Sequence, residues 1–238
     1  MLVKTKAIVL TSLKYGESDL IVKCFTEEGV KSYLLKRILR AKNKKINIAY
    51  FQPLTQLTIT ANHNNSGNLN SIREARINHL YQTIPFNILK QSIVLFLAET
   101  LTYSLFEEEK NPELYQYIET ALVWLDTHDK TSNFHILFLV NLTKYLGFFP
   151  EKENLSYPYF DLREGVFTNE KPLNNCIYGE KLIMFKSLIG INFDVIGQLG
   201  LNSRSRNIML DILLDYYELH LPAFKEPKSL NVLKEVFR

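Results

Sequence analysis

Cysteine is almost missing from this chain. Cys24 and Cys176 are the only two in 238 residues, and they stand 152 positions apart without a CxxC pair. That excludes a disulfide framework and a zinc knuckle, and both read as small core hydrophobes. The five histidines, His63, His79, His128, His135 and His220, include no i,i+4 pair and no HExxH, so no metalloprotease helix is written here. Phosphate-cradling and nucleophile signatures, GxxxxGK[ST], GxGxxG and GxSxG, are absent too, which leaves ATPase, dinucleotide and serine-hydrolase chemistry without support. Asp211 and Asp215 stand one helical turn apart, but no further acid completes an oxygen cage, and both read as the wet face of an amphipathic helix. Long apolar runs are lacking as well. Ile93 to Ala98 ends at Glu99, and the N-terminal stretch is too short and interrupted for a signal peptide or a membrane span. A cytoplasmic setting is the default expectation, with no membrane partner, no cofactor and no catalytic residue.

One further lack is local. Lys36 to Lys45, KRILRAKNKK, holds Lys36, Arg37, Arg40, Lys42, Lys44 and Lys45 without one acid. Six cations in ten residues, set between strand-like segments, read as a loop that offers its charge to a polyanion. The whole chain carries a formal charge of +3, yet residues 1 to 80 hold 13 Lys or Arg against 5 Asp or Glu, and residues 81 to 238 hold 15 against 20. Net charges of +8 and −5 give the two parts different faces, and only the first suits nucleic acid.

The patterning changes at the same place. Residues 3 to 13, 20 to 26, 30 to 35, 49 to 60 and 69 to 77 read as five short strands, with turns at Tyr15 to Asp19 and at Glu27-Glu28-Gly29. This predicts a small β-barrel over 1–80. From residue 83 a helical period takes over: a buried helix near 84–106, a second opened by Asn111-Pro112 and running to about Thr127, and a third from Ser132 or Asn133 to Tyr145. Glu151 to Pro172 reads as loop, and helices resume at 178–188, 202–220 and 229–237. The expected class is α+β, a five-stranded OB-fold barrel over 1–80 followed by an all-α part over 81–238.

The basic run shares its module with Lys4, Lys6, Lys14, Lys23, Lys31, Arg73 and Arg76, and with the rings Tyr15, Phe25, Tyr33, Tyr50 and Phe51. Rings interleaved with cations are what a single-strand groove needs, since rings stack on bases while Lys and Arg track phosphates. Phe25 and Phe51 are expected in the core, and Tyr33 and Tyr50 exposed.

The order YGESDLIVKCFTEEG, KSYLLKRILRAKNKK, FQPLTQLTIT resembles the N-terminal OB-fold of the bacterial RecO family. AETLTYSLFEEEKNPELYQYIETALVWLD, YFDLREGVF and the ending YYELHLPAFKEPKSLNVLKEVF resemble its helical part, so the likeness spans nearly the whole chain. The resemblance implies a recombination mediator that binds single- and double-stranded DNA and anneals complementary strands. It also implies engagement of the C-terminal tail of single-stranded-DNA-binding protein, joint action with RecR and in many bacteria RecF, loading of RecA, and a place at the nucleoid. That tail is acidic with an apolar end, so its receptor needs a cation beside an apolar groove; Lys144, Lys181, Arg204 and Arg206 are the candidates. Many relatives carry a four-cysteine zinc site where this chain has 159–176 and retains only Cys176, so no metal is expected. Many also have a glycine soon after the lysine that opens the basic loop, where this chain has Arg37-Ile38-Leu39. Two other readings stay open, an RNA-binding OB protein and an adaptor whose basic loop grips an acidic protein.

Overall fold

In the computed structural model the described residues are 1–40, 46–63, 69–105 and 110–238. They form two compact units, residues 1–127 with 227–229, and residues 128–226 with 230–238. The change from strands to helices near residue 80 therefore falls inside the first unit, which takes in the first two long helices.

Five antiparallel strands, β1 Leu2–Tyr15, β2 Asp19–Thr26, β3 Gly29–Leu35, β4 Gln56–Asn62 and β5 Ser71–His79, lie in the order β3-β2-β1-β4-β5. β1 serves two partners because its register slips between Val9 and Thr11. The extra residue bends the strand and buries Ala7, Ile8, Val9 and Leu10 in succession. The sheet then closes on itself. Leu34 N–H donates to the Asn70 carbonyl at 2.8 Å and Asn70 N–H to the Ser32 carbonyl at 3.0 Å, a parallel bridge between β3 and the approach to β5. Closure leaves neither strand an open edge there.

The expected fourth strand begins late. Asn47 accepts the Ala49 N–H at 3.0 Å and caps a 3-10 turn over Ile48–Phe51. Leu54 follows at φ 56, anchored by its N–H to the Val9 carbonyl at 2.7 Å. Pro53, which has no N–H to give a ladder, sits in this turn rather than in the strand. Phe25 and Phe51 are in the core as expected, each 2 % exposed.

The barrel passes into α1 Ile88–Ser104 through a 3-10 turn at Ile84–Phe86, and α2 Pro112–Thr127 follows. Asn87 caps α1 and Asn111 caps α2, the latter accepting the Leu114 N–H at 2.9 Å. α2 lies on the barrel through Lys6, whose ammonium reaches Glu119 at 3.1 Å, and through Gln56, which donates to the Glu119 carbonyl at 3.0 Å. Its last turn carries Asp126, a carboxylate only 1 % exposed. Asp126 accepts the backbone N–H groups of Gln82 and Thr83 at 2.8 Å and of Ile84 at 3.0 Å. The Lys90 ammonium, also buried, donates to the Asp126 carbonyl at 2.9 Å and to the Thr83 hydroxyl at 2.7 Å.

The second unit holds α3 Phe134–Tyr145, α4 Gly179–Leu188, α5 Ser203–His220 and α6 Leu230–Val236. The stretch 151–172, expected as loop, and the following residues contain β6 Tyr159–Asp161, β7 Val166–Thr168 and β8 Cys176–Tyr178, a sheet ordered β7-β6-β8. This part is thus not purely helical. Strands of three residues leave too little alternation to read in a sequence; they are held by Phe160, whose ring centroid lies 4.9 Å from Phe167 and 4.8 Å from Phe185. Tyr216 and Tyr217 hydroxyls donate to the Phe148 carbonyl at 2.7 Å and the Leu139 carbonyl at 2.8 Å, tying α5 to α3 and the turn after it. No helix among the described residues is long and apolar enough to cross a membrane.

Burial alone would raise the Asp126 pKa, but the N–H groups of Gln82, Ile84 and Thr83 outweigh it and hold the carboxyl below its ordinary value. A depressed folded pKa stabilises the protein above the unfolded value, about 3.9, and that stabilisation is lost as pH falls through the folded pKa. Asp126→Asn is expected to lower the unfolding free energy at neutral pH by about 2–3 kcal/mol. In denaturant titrations at stepped pH, the difference from wild type should shrink below about pH 4.

Candidate nucleic-acid interface

β3 ends at Leu35 and the chain turns outward through 36–40. This start of the basic run is fastened to the β1–β2 hairpin. Asp19 accepts the Arg37 N–H at 2.7 Å, the Ser18 carbonyl accepts the Leu39 N–H at 3.0 Å, and the Arg40 guanidinium pairs with Glu17. Arg37 takes φ 56, the left-handed region, where glycine is free of strain. A side chain there costs about 1 kcal/mol, offset by the charged acceptor at Asp19.

Lys36 borders a groove of about 580 Å³ along the barrel seam, lined also by Leu34, Ile38, Ile46, Ile72 and Arg73. Arg73 reaches it because of a bulge: Thr60 pairs with Glu74 and Ala61 with Ile72, which leaves Arg73 the extra residue of β5. Among the described residues no carboxylate pairs with Lys36 or Arg73. Arg37 and Arg40 are exposed on the same turn, while Arg76 faces a different cleft, with Lys4, Thr58 and Thr60. Lys42, Lys44 and Lys45 lie outside the described residues.

The rings correct the sequence reading. Tyr33, expected exposed, is fully buried. Alternation along β3 places it inward with Leu35, opposite Val22, and its hydroxyl meets His63 Nε2 at 2.9 Å. Burial pushes its phenol well above the ordinary tyrosine range. Tyr50 is half-buried, packed with Ile38 and Ile46 against the barrel core. The groove is therefore floored by aliphatic side chains rather than by an open stacking ring. Tyr15, 56 % exposed at the end of β1, is the ring that the barrel leaves open, beside the hairpin turn that holds Leu39 and Arg40. Its place at a turn, outside the alternating part of β1, was the available signal.

Of the four cations considered for a protein tail, Lys144, Lys181 and Arg204 are exposed. Arg206 is not a surface charge: it is 8 % exposed, donates to Asn133 Oδ1 at 3.1 Å, and stands 5.2 Å from the Phe237 ring centroid. It shares the buried face of α5 with Met209, Leu210 and Leu213, a spacing visible in the sequence. Burial lowers its pKa from the ordinary arginine value, and burial together with the Arg206 charge brings His135 down to about 3. An apolar groove of about 580 Å³ that sequence reading missed lies between the barrel and α1, lined by Pro53, Ile77, Leu80, Tyr81, Val94 and Leu95. In the small sheet the Cys176 thiol reaches the Pro172 carbonyl at 3.8 Å, and among the described residues no three His, Cys, Asp or Glu side chains converge as metal ligands. With Cys176 as the only cysteine of 159–178, these residues do not supply the four thiolates of the zinc site that the resemblance implied.

Replacing Arg37 by glycine is expected to leave the unfolding midpoint unchanged or raise the stability by up to about 1 kcal/mol, because the left-handed turn is then unstrained. Asp19→Ala, which removes the acceptor, should lower it by about 1 kcal/mol. Denaturant titration of both variants checks the pair.

Residues 1–81 match the family described as Recombination protein O N terminal, and residues 85–230 match Recombination protein O C terminal. The chain is 45% identical over 238 residues to the "DNA repair protein RecO" of Flavobacterium psychrophilum and 44% identical over 238 residues to that of Christiangramia forsetii. It is 35% identical over 240 residues to the "DNA repair protein RecO" of Phocaeicola vulgatus, and in all three comparisons 100% of each chain is covered. The match to both halves, over a barrel and a helical part in the same order, means that this chain belongs to the recombination protein O family.

Proposed function

We propose that the protein acts in DNA repair and homologous recombination as a mediator that binds single- and double-stranded DNA, anneals complementary strands and helps load RecA on DNA coated by single-stranded-DNA-binding protein. The observation that carries this reading is the seam groove, where Lys36 and Arg73 stand, among the described residues, without carboxylate partners at the root of a six-cation run. Cations that no internal acid neutralises are free to replace the counterions of a phosphate backbone. Its aliphatic floor gives bases a nonpolar surface to lie against without reading their edges, so binding depends on charge and little on sequence. Lys36, Arg37, Arg40, Lys42, Lys44, Lys45 and Arg73 would lower the repulsion between two strands enough for pairing, while Arg76 faces the other cleft. Nothing in that process needs a covalent step.

Protein partners follow the family: RecR, the tail of single-stranded-DNA-binding protein, RecA and, in some bacteria, RecF. Exposed Lys144, Lys181 and Arg204 supply cations for the acidic tail, and the groove beside α1 supplies apolar surface for a partner.

The test is fluorescence anisotropy of a labelled single strand of roughly 30 nucleotides, long enough for more than one OB-fold site. It is titrated at several salt concentrations with wild type, Lys36→Ala/Arg73→Ala, and the alanine triple at Lys42, Lys44 and Lys45. Both variants should bind more weakly, with the log–log salt slope shallower by ~0.7 for each phosphate contact removed. Binding that ignores salt and survives both variants would sink the reading in favour of an adaptor for an acidic protein. Tighter binding to an RNA strand of the same sequence would turn it toward the RNA alternative.

A further inference from the structure

The barrel has a second cleft with exposed cations, distinct from the seam. Three strands present their outer faces side by side, with Lys4 paired across to Thr60 and Thr60 to Glu74, and with Lys6 paired across to Thr58 and Thr58 to Arg76. A cleft of about 360 Å³ runs over this face, lined by Lys4, Thr58, Thr60, Glu74, Arg76 and Ile77. It shares no residue with the seam groove. The bulge in β5 is what separates them: the extra residue Arg73 joins the seam, and three positions on Arg76 joins the outer cleft.

We propose that this face holds the phosphate backbone of a second nucleic-acid strand while the seam holds the first. The inference rests on the seam reading above. Lys6 is neutralised by Glu119, whereas Lys4 and Arg76 are exposed and have no carboxylate partner among the described residues. The Thr60 hydroxyl between them supplies a phosphate donor. Neighbouring strands lie about 4.8 Å apart, so Lys4 on β1 and Arg76 on β5 flank a strip roughly 10 Å wide across β4, offset along it by two residues. The cleft has a single apolar lining residue, Ile77, so nothing in it selects bases or buries a peptide.

Glu74 sets the strength. It stands in the cleft with no cation bonded to it among the described residues, so together with Lys4 and Arg76 it leaves a net charge of one. A strand held there is held weakly and leaves readily once paired. Arg73 and Arg76 are three residues apart on β5, about 10 Å along a strand, so two strands on the two faces meet around β5.

The experiment is native mass spectrometry of the full chain with two non-complementary strands of different mass, each about 12 nucleotides, a length one OB-fold can occupy. Thermal melts confirm that each variant is folded. Wild type at low salt should give complexes of one chain with two strands. Lys4→Ala/Arg76→Ala should hold one strand within about twofold of wild-type affinity, lose the two-strand species, and anneal complementary strands roughly tenfold more slowly. Glu74→Gln should enrich the two-strand species. Persistence of that species in the Lys4/Arg76 double variant, no gain with Glu74→Gln, or a wild type that takes one strand and never two would each overturn the second face. An unchanged first-strand affinity in Lys36→Ala/Arg73→Ala would instead count against the seam reading alone.

Discussion

One buried carboxylate fixes how the barrel is joined to its helices. Asp126, on the last turn of α2, takes three consecutive backbone N–H groups from the turn at 82–84, where the chain leaves β5 for α1. These donors precede a helix and have no sheet partner, so without an anion they would be buried and unpaired. Lys90 then enters the interior on the first turn of α1 and binds the same turn through the Thr83 hydroxyl and the Asp126 carbonyl. A charge buried this deeply is tolerated only when its hydrogen bonds are complete. The three elements therefore set each other's positions. The compact unit ends after α2 and not at the last strand because the interactions that finish the barrel come from α2.

The same logic of completion explains where the groove lies. Closure of the barrel uses the Asn70 backbone and also its side chain, whose amide donates to the Ser32 carbonyl at 3.1 Å. Tyr33 fills the space behind that joint, and β5 bulges three residues later, at Arg73. A ring that would have stacked on a base is consumed in sealing the barrel, and the bulge that relieves the closure delivers a cation to the seam. Core and surface are coupled through a single strand register.

Much of this was legible. The caps at Asn111-Pro112, the hairpins at 15–19 and 27–29, and the opposite charges of the two parts are local in sequence, and local signals survive folding. What was not legible depends on partners distant in the chain. Nothing near Tyr33 announces that Asn70 and His63 will enclose it. Nothing near Arg206 names Asn133 and Phe237, although its helical spacing from Leu210 and Leu213 marked the buried face. The late start of β4 follows from a cap and a left-handed leucine tied to Val9, and β7 and β8 are too short for periodicity to show. The helix end carrying Asp126 reads in the sequence as an ordinary acidic helix, because its ligands are backbone N–H groups some forty residues earlier.

The charge asymmetry gains its meaning from how the acids are used. Residues 1–80 have five carboxylates. Asp19 is bonded to a backbone N–H of the basic turn, Glu27 to the Thr5 hydroxyl and the Lys6 N–H, and Glu28 to Lys110 beyond the barrel. Glu17 is bonded to a cation of the barrel, Arg40, and both side chains of that pair are exposed, so water and salt screen it heavily. Glu74 is left in the outer cleft. The acids thus position the backbone or pair beyond the barrel, and among the described residues they leave Lys4, Lys36, Arg73 and Arg76 without a carboxylate partner. A barrel that meant to hide its lysines would have paired them. This one uses Asp19 and Glu17 to fix the start of the basic turn and leaves Lys36 and Arg73 exposed beside it.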